Sequence, residues 1–268
     1  MLLKFIIATL LSSTFLQLFA YDLEEIKKDF YEKVVLKSNI QDRDKKFKLS
    51  ESYFENAKEY LLIEQDKFTY TQFVSLIDLS KQVLILTVWD ECERDFFPIG
   101  FDFISSGDID REIETKKGED HYIKSPVGLF DIKSGWRSDG KFLEDNITRP
   151  YGEKGRFVFY FGKQNSVRYN SFDKDGNKIK DKKKWKLIKS KLNFAMHAHS
   201  GTQTFGRVQS HGCIRMSENL NRFLDNNFVF FAYLLNGTEW LHPYEPEPQN
   251  PKNHELAGKY VLVIDSVF

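Results

Sequence analysis

Between residues 197 and 213 the chain gathers three of its six histidines, His197, His199 and His211, and one of its two cysteines, Cys213. A cysteine thiol has an ordinary pKa near ~8.5, so only a few per cent is nucleophilic thiolate at neutral pH. An imidazole that takes the proton raises the reactive fraction. His197 ends a predicted strand, and a glycine-containing loop can fold Cys213 back beside it. Gly212, directly before the cysteine, leaves room for a substrate carbonyl, and the backbone N–H groups around Gly212 and Cys213 are candidate oxyanion donors. Arg215 places a fork of donors two residues beyond the thiol, suited to a carboxylate. Two other readings stand beside cysteine catalysis. His197, His199, His211 and Cys213 form a plausible tetrahedral zinc set, and the histidines are equally compatible with satisfied polar residues around a buried cysteine.

These residues need a scaffold, and the composition supplies one. The chain has 268 residues, 41% hydrophobic and 15% aromatic, enough to fill a core and exclude wholesale disorder. Lys+Arg 39 against Asp+Glu 39 gives no general pull toward nucleic acid, and none is expected as a partner. Two cysteines exclude a disulfide scaffold, although a single Cys92–Cys213 bridge stays open as the bland alternative. Cys92 lies in Trp89-Asp90-Glu91-Cys92-Glu93, among acids that disfavour a thiolate.

The N-terminus reads as a signal peptide over residues 1–20. Lys4 precedes an apolar run from Phe5 to Leu18, and Ala20 offers a small residue before Tyr21-Asp22-Leu23-Glu24-Glu25. Leu18 fits the small-x-small cleavage rule poorly, but the apolar stretch is short for a span. The expectation is cleavage, export to the periplasm or cell envelope, and no stable membrane span afterwards.

Leu23, Ile26, Phe30 and Val34 recur at helical spacing behind Asp22, which predicts a helix over 22–36. A second helix is expected from Ser52, where Ser52-Tyr53-Phe54-Glu55 has capping-box spacing. From residue 70 the period changes to two. Strands are predicted at Phe73–Asp78, Gln82–Trp89, Phe96–Ile104, Gly128–Lys133, Arg156–Lys163, Val167–Phe172, Lys184–Ser190, Leu192–Ala198 and Lys259–Asp265. Phe228–Leu234 reads equally as strand or buried helix. Ser217 caps a helix carrying Leu220, Phe223 and Leu224. The predicted class is mainly β, a mixed or antiparallel sandwich or barrel with a few short helices and a small helical N-terminal segment. Asp173-Lys174-Asp175-Gly176-Asn177 places its glycine too early for a calcium loop and reads as a hairpin turn. The lysine run from Lys178 to Lys191 reads first as a solvated hairpin and second as a patch for a carboxylate-rich polymer.

Ser210-His211-Gly212-Cys213-Ile214-Arg215-Met216 resembles the signature of the L,D-transpeptidases, the YkuD-type catalytic domain, and His197 stands where that family has its upstream histidine. Lys124-Ser125-Pro126-Val127-Gly128-Leu129-Phe130-Asp131-Ile132 is similar to the family's Thr-Pro-x-Gly-x-Phe-x-Ile stretch. The resemblance spans roughly residues 70–240. It implies a catalytic domain over 67–242, which the residue pattern flanks with the signal peptide, a helical segment 21–66 and a Pro-rich connection with a last strand, 243–268. It also implies that Cys213 is the nucleophile and His197 its base, oriented by the carbonyl of Ala198. His211 and Gly212 would shape the oxyanion pocket, Ser210 hold the loop and Arg215 bind the donor peptide; His199, often Thr in the family, would line the substrate side. No metal or other cofactor is implied. The expected partners are peptidoglycan stem peptides, as donor and acceptor, and a lipoprotein anchored to the wall. The implied reaction releases D-Ala through a Cys thioester and passes the acyl group to an amine; water as acceptor would make a carboxypeptidase, and a zinc-stabilised wall-binding module is the non-catalytic alternative.

Overall fold

In a computed structural model, residues 21–38, 40, 43–109, 123–201, 205–231 and 254–268 are described. The signal-peptide segment, the Pro-rich stretch 243–248 and the end of the apolar run at 232–234 lie outside them.

The chain is mainly β. The strands are β1 (Gln72–Asp78), β2 (Val83–Asp90), β3 (Asp95–Ser105), β4 (Gly128–Asp131), β5 (Ser134–Arg137), β6 (Phe157–Asn170), β7 (Lys186–Ala198), β8 (Ile214–Met216) and β9 (Tyr260–Ile264). They form one nine-stranded sheet in the order β4-β9-β1-β2-β3-β8-β7-β6-β5, curled into a half-barrel. Neighbours are antiparallel except β1 with β9 and β7 with β8. The helices are α1 (Leu23–Phe30), which runs on into a π-helical turn Tyr31–Val35, α2 (Arg43–Lys46), α3 (Glu51–Ile63) and α4 (Glu218–Asn226). No described helix is long and apolar enough to cross a membrane.

Alternation along the strands divides the apolar side chains between two cores. Phe73, Ile77, Leu84, Leu86, Phe157, Phe159, Met196 and Ile214 pack with α1, α4 and Phe228–Phe231 on one face. Val74, Leu76, Val83, Ile85, Trp89 and Leu262 pack with Phe54, Ala57 and Leu61 of α3 on the other. Both faces of β1 and β2 are covered, so every residue in them is buried. The N-terminal helices are thus integral to the fold. Arg43 reaches buried Asp102 on β3 at 2.6 Å, and Ser217, the N-cap of α4, donates to the same carboxylate at 2.8 Å.

Several sequence expectations are adjusted. The cap of α3 is Ser50, whose Oγ accepts from the Tyr53 N–H at 3.2 Å; Ser52 lies in the first turn. The residues predicted as two strands on each side of the hairpin form single strands, β6 and β7, paired from Phe159↔Met196 to Asn170↔Lys186. The short strands β5 and β8 were not expected. Phe228–Phe231 is neither strand nor regular helix but a buried turn segment. Asp173 is a turn residue, accepting from the N–H groups of Asp175 and Asn177.

Candidate functional site

The site lies where β7 and β8 run parallel. The register pairs Met196 with Ile214, His197 with Arg215 and Ala198 with Met216. Met196, Ile214 and Met216 point into the core, so His197 and Arg215 occupy the opposite face. Cys213 directly precedes β8, and its thiol reaches the backbone of Ala195, the residue two before His197. The sheet thereby joins a histidine and a cysteine that are 16 positions apart in sequence.

His197 is almost wholly buried, 4% exposed. Its Nδ1 donates to the carbonyl of Ala198 at 2.8 Å, which leaves Nε2 as the basic nitrogen. Burial, with the Arg215 cation as a further cause, holds its pKa down to about 3, against the favourable carbonyls of Ala198 and Pro150. Burial likewise raises the Cys213 thiol above its ordinary range, opposed by the Ala195 backbone and by Arg215. At neutral pH the pair is therefore a neutral thiol beside a neutral imidazole.

The cysteine loop is fixed by two serines. Ser210 Oγ donates to the Cys213 carbonyl and accepts from the Gly212 N–H at 3.0 Å. Ser125 Oγ donates to the Gly212 carbonyl at 2.7 Å and accepts from the Gly107 N–H at 2.9 Å. The Ser125 stretch, read from sequence as a second similarity, is thus bonded directly to the cysteine loop. Gly212 sits at φ +131°, and a Cβ there would lie 3.1 Å from both Ile123 Cβ and Phe194 Cε1. Backbone conformation and packing both demand glycine. Its N–H is engaged by Ser210.

His211 is exposed, and its Nδ1 accepts from Arg215 Nη2 at 3.1 Å. Arg215 also donates to the Gln209 carbonyl at 3.4 Å. His199 is buried at the end of β7, with Nδ1 3.3 Å from the Pro150 carbonyl. Burial, then Arg215, lowers its pKa to about 4. The four residues read as a possible zinc set therefore have separate engagements, and among the described residues no three His, Cys, Asp or Glu side chains are arranged to hold a metal ion. Cys92 and Cys213 are both free thiols, Cys92 exposed, so no bridge joins them.

Sequence reasoning missed the aromatic wall. Tyr151 meets the His197 ring edge-on at 5.0 Å between centroids. Trp136 of β5 follows at 6.0 Å from Tyr151 and 6.2 Å from Tyr160. Pro150, which serves both imidazoles, belongs to the same segment, held by the Arg149–Ser200 bridge. No motif marks these residues; they come from strands and loops far from the cysteine in sequence.

No protein-family model matches the chain, and no curated protein does. Among solved structures it is similar to Bd1075 of Bdellovibrio bacteriovorus, at 14% identity and TM-score 0.35, over 74% of this chain and 49% of that one. It is also similar to the helical cell shape determining protein Pgp2 of Campylobacter jejuni, at 13% identity and TM-score 0.32, over 79% and 56%. A third is a fused Zn-dependent amidase/peptidase/peptidoglycan-binding domain-containing protein of Clostridium acetobutylicum, at 12% identity and TM-score 0.29, over 80% and 62%. The chain spans less than two thirds of each of these proteins. Likenesses this shallow leave the chemistry of the site to be argued from its own geometry.

Proposed function

We propose that the protein is a cysteine acyltransferase of the cell envelope that acts on peptidoglycan stem peptides, an L,D-transpeptidase. The observation that carries this reading is that Cys213 directly precedes β8 with its thiol against the Ala195 backbone of β7, the strand that carries His197, whose Nδ1 is committed to the Ala198 carbonyl. Support comes also from the sequence resemblance around Cys213 and from the hydrogen bonds that tie its second segment, through Ser125, to Gly212.

In this mechanism the Cys213 thiol attacks the carbonyl that joins the third stem residue to the terminal D-Ala. As the S–C bond forms, the thiol proton passes to His197 Nε2. The tetrahedral intermediate collapses with cleavage of the C–N bond; His197 returns the proton to the departing amine, and D-Ala leaves. An amine of a second stem, or of a lipoprotein, then attacks the thioester. Its proton goes to His197 and on to the departing Cys213 sulfur, which restores the resting pair. Arg215 lies beside the thiol with its guanidinium suited to the donor's carboxylates.

The test is mass spectrometry of products after incubation of the protein with disaccharide-tetrapeptide, beside a Cys213→Ala control. Cross-linked dimers lacking one D-Ala, absent from the control, are the expected result. Tripeptide alone would make the enzyme a carboxypeptidase. Unchanged substrate with every acceptor tried would overturn the acyl-transfer reading.

A further inference from the structure

The outer parts of β6 and β7, with the turn between them, form a two-stranded ribbon of unusual charge. Residues 163–191 carry ten lysines and one arginine against three aspartates, a net +8 in a chain whose formal net charge is zero, so the remainder carries −8. A segregation this large is a feature of the molecule's field.

The ribbon's lysines are also ordered with respect to the site. β7 has unbroken register; the irregularity in the pair falls on β6, between Tyr160 and Gly162. Alternation therefore puts Lys189, Lys191, Asn193, Ala195 and His197 on one face of one strand. The burial pattern agrees: positions 189, 191 and 193 are exposed, while 188, 190 and 192 are half-buried. Lys163 of β6 is exposed and pairs opposite Asn193, which adds a third cation to the same face. Tyr160 pairs with Ala195 and donates from its hydroxyl to Asn193 Oδ1 at 2.5 Å. At about 3.3 Å per residue the row starts about 26 Å from His197 and leads toward it.

We propose that Lys163, Lys189 and Lys191 form a cationic track that holds a carboxylate-bearing wall polymer and feeds its peptides to Cys213. Naming that polymer rests on the peptidoglycan reading above. The chemistry of the row favours such an occupant. Its cations are lysines, hydrated point charges that attract carboxylates without fixing a bidentate geometry, which suits a polymer that must slide. The large aromatic of the ribbon, Trp185, is used in its fold: Nε1 donates to the Ile179 carbonyl at 2.8 Å, and Lys182 lies over its ring. It does not offer the open stacking platform that single-stranded nucleic acid uses. The face opposite the track is half-buried, with Leu192 against the core, so the ribbon lacks the free apolar face of a membrane-surface element.

The test is co-sedimentation of full-length Cys213→Ala protein with purified peptidoglycan sacculi, which needs no turnover. Binding should weaken steeply between about 0.05 and 0.5 M salt. The exposed triple variant Lys163→Gln/Lys189→Gln/Lys191→Gln should bind about tenfold more weakly at low salt, with an unchanged melting temperature, and the Lys→Arg triple should restore binding. Lys180→Gln/Lys182→Gln/Lys183→Gln, the same charge change at the tip, should bind nearly as the parent does. Equal loss from the tip triple, no loss from the track triple, or tighter binding to phosphatidylglycerol vesicles than to sacculi would each overturn the track. Track-dependent binding by a protein that fails the product assay would overturn the acyl-transfer reading alone.

Discussion

His197 and Arg215 face each other across the parallel β7–β8 ladder, and Cys213, directly before β8, sets its thiol against the Ala195 backbone of β7. The guanidinium thus stands beside both members of the pair, disfavouring a protonated imidazole and favouring a thiolate. Burial acts more strongly than Arg215 on each, and it keeps both groups neutral.

A neutral resting pair has a kinetic signature. An ion-pair cysteine enzyme loses activity as its imidazolium gives up a proton near neutrality. Here kcat/KM should stay flat from about pH 5 to 8, since His197 titrates near 3 and the thiol above its ordinary range. A pH profile of kcat/KM on disaccharide-tetrapeptide checks this, and a bell centred near pH 6 would contradict it. Alkylation of Cys213 by iodoacetamide should still be climbing at a pH where an ordinary thiol has levelled off, because burial holds the thiol protonated there.

The same burial sets a stability profile. The ordinary histidine pKa is 6.5, whereas His197 and His199 sit at about 3 and about 4. Below pH 6.5 the unfolded chain takes up protons that the folded chain refuses, so stability falls with pH. The stabilising contribution is fully present above 6.5 and is lost progressively down to about 3 or 4. The urea midpoint should therefore drop between pH 7 and pH 4.5, and the drop should shrink in His197→Gln/His199→Gln, measured by fluorescence.

Ser125 offers a test of positioning. Its hydroxyl is buried and bridges the Gly107 N–H to the Gly212 carbonyl. Ser125→Ala leaves both groups without that partner, at about 1–3 kcal/mol, and frees the loop that aims Cys213. Activity should fall at least tenfold in kcat with KM little changed. Ser125→Thr, which keeps the hydroxyl, should recover most of it. Equal recovery by Ser125→Cys would mean that packing, not the bridge, holds the loop.

How much of this was legible in the sequence follows from where side chains are buried. β1, β2 and β9 are covered on apolar faces and carry dense Val, Ile, Leu and Phe, so they could be read. The ribbon was read as a hairpin of strands, but not its continuity. Gln164, Asn165 and Ser166 look like a turn, yet they stay in register with Leu192, Lys191 and Ser190. A ribbon with one face exposed and the other only half-buried, partly by polar Ser166 and Ser190, carries little apolar alternation to mark it. β8 is three residues long, too short for any period. In the site, Cys213 and His197 stood out because their residue types are rare here. Tyr151, Trp136 and Pro150 did not, because only tertiary folding brings them to the imidazole. The α3 cap was misplaced by two residues since Ser50 and Ser52 are equally good capping types, and only the Ser50 side chain meets the Tyr53 N–H.

The N-terminal helices give the last prediction. Arg43 joins α2 to Asp102 on β3 at 2.6 Å and to the Phe101 carbonyl, and its guanidinium lies 4.3 Å from the Phe101 ring centroid. Asp102 is 1% exposed. Burial pushes its carboxyl above the usual range, while Arg43 first, and Ser217 after it, favour the ionised form. Arg43→Ala would remove the cation and leave a buried carboxylate with only Ser217 for a charge-stabilising side chain. That should cost about 3–5 kcal/mol, read as a lowered urea midpoint at pH 7. Arg43→Ala/Asp102→Asn should recover part of the loss, because the amide carries no charge to strand. Ser217 starts α4, and α4 packs on the core behind β7. The single variant should therefore also change alkylation selectivity, the rate at Cys213 measured against exposed Cys92 as an internal reference. If the midpoint fell and that selectivity did not change, residues 22–66 would serve the stability of the sheet and not the geometry of the site.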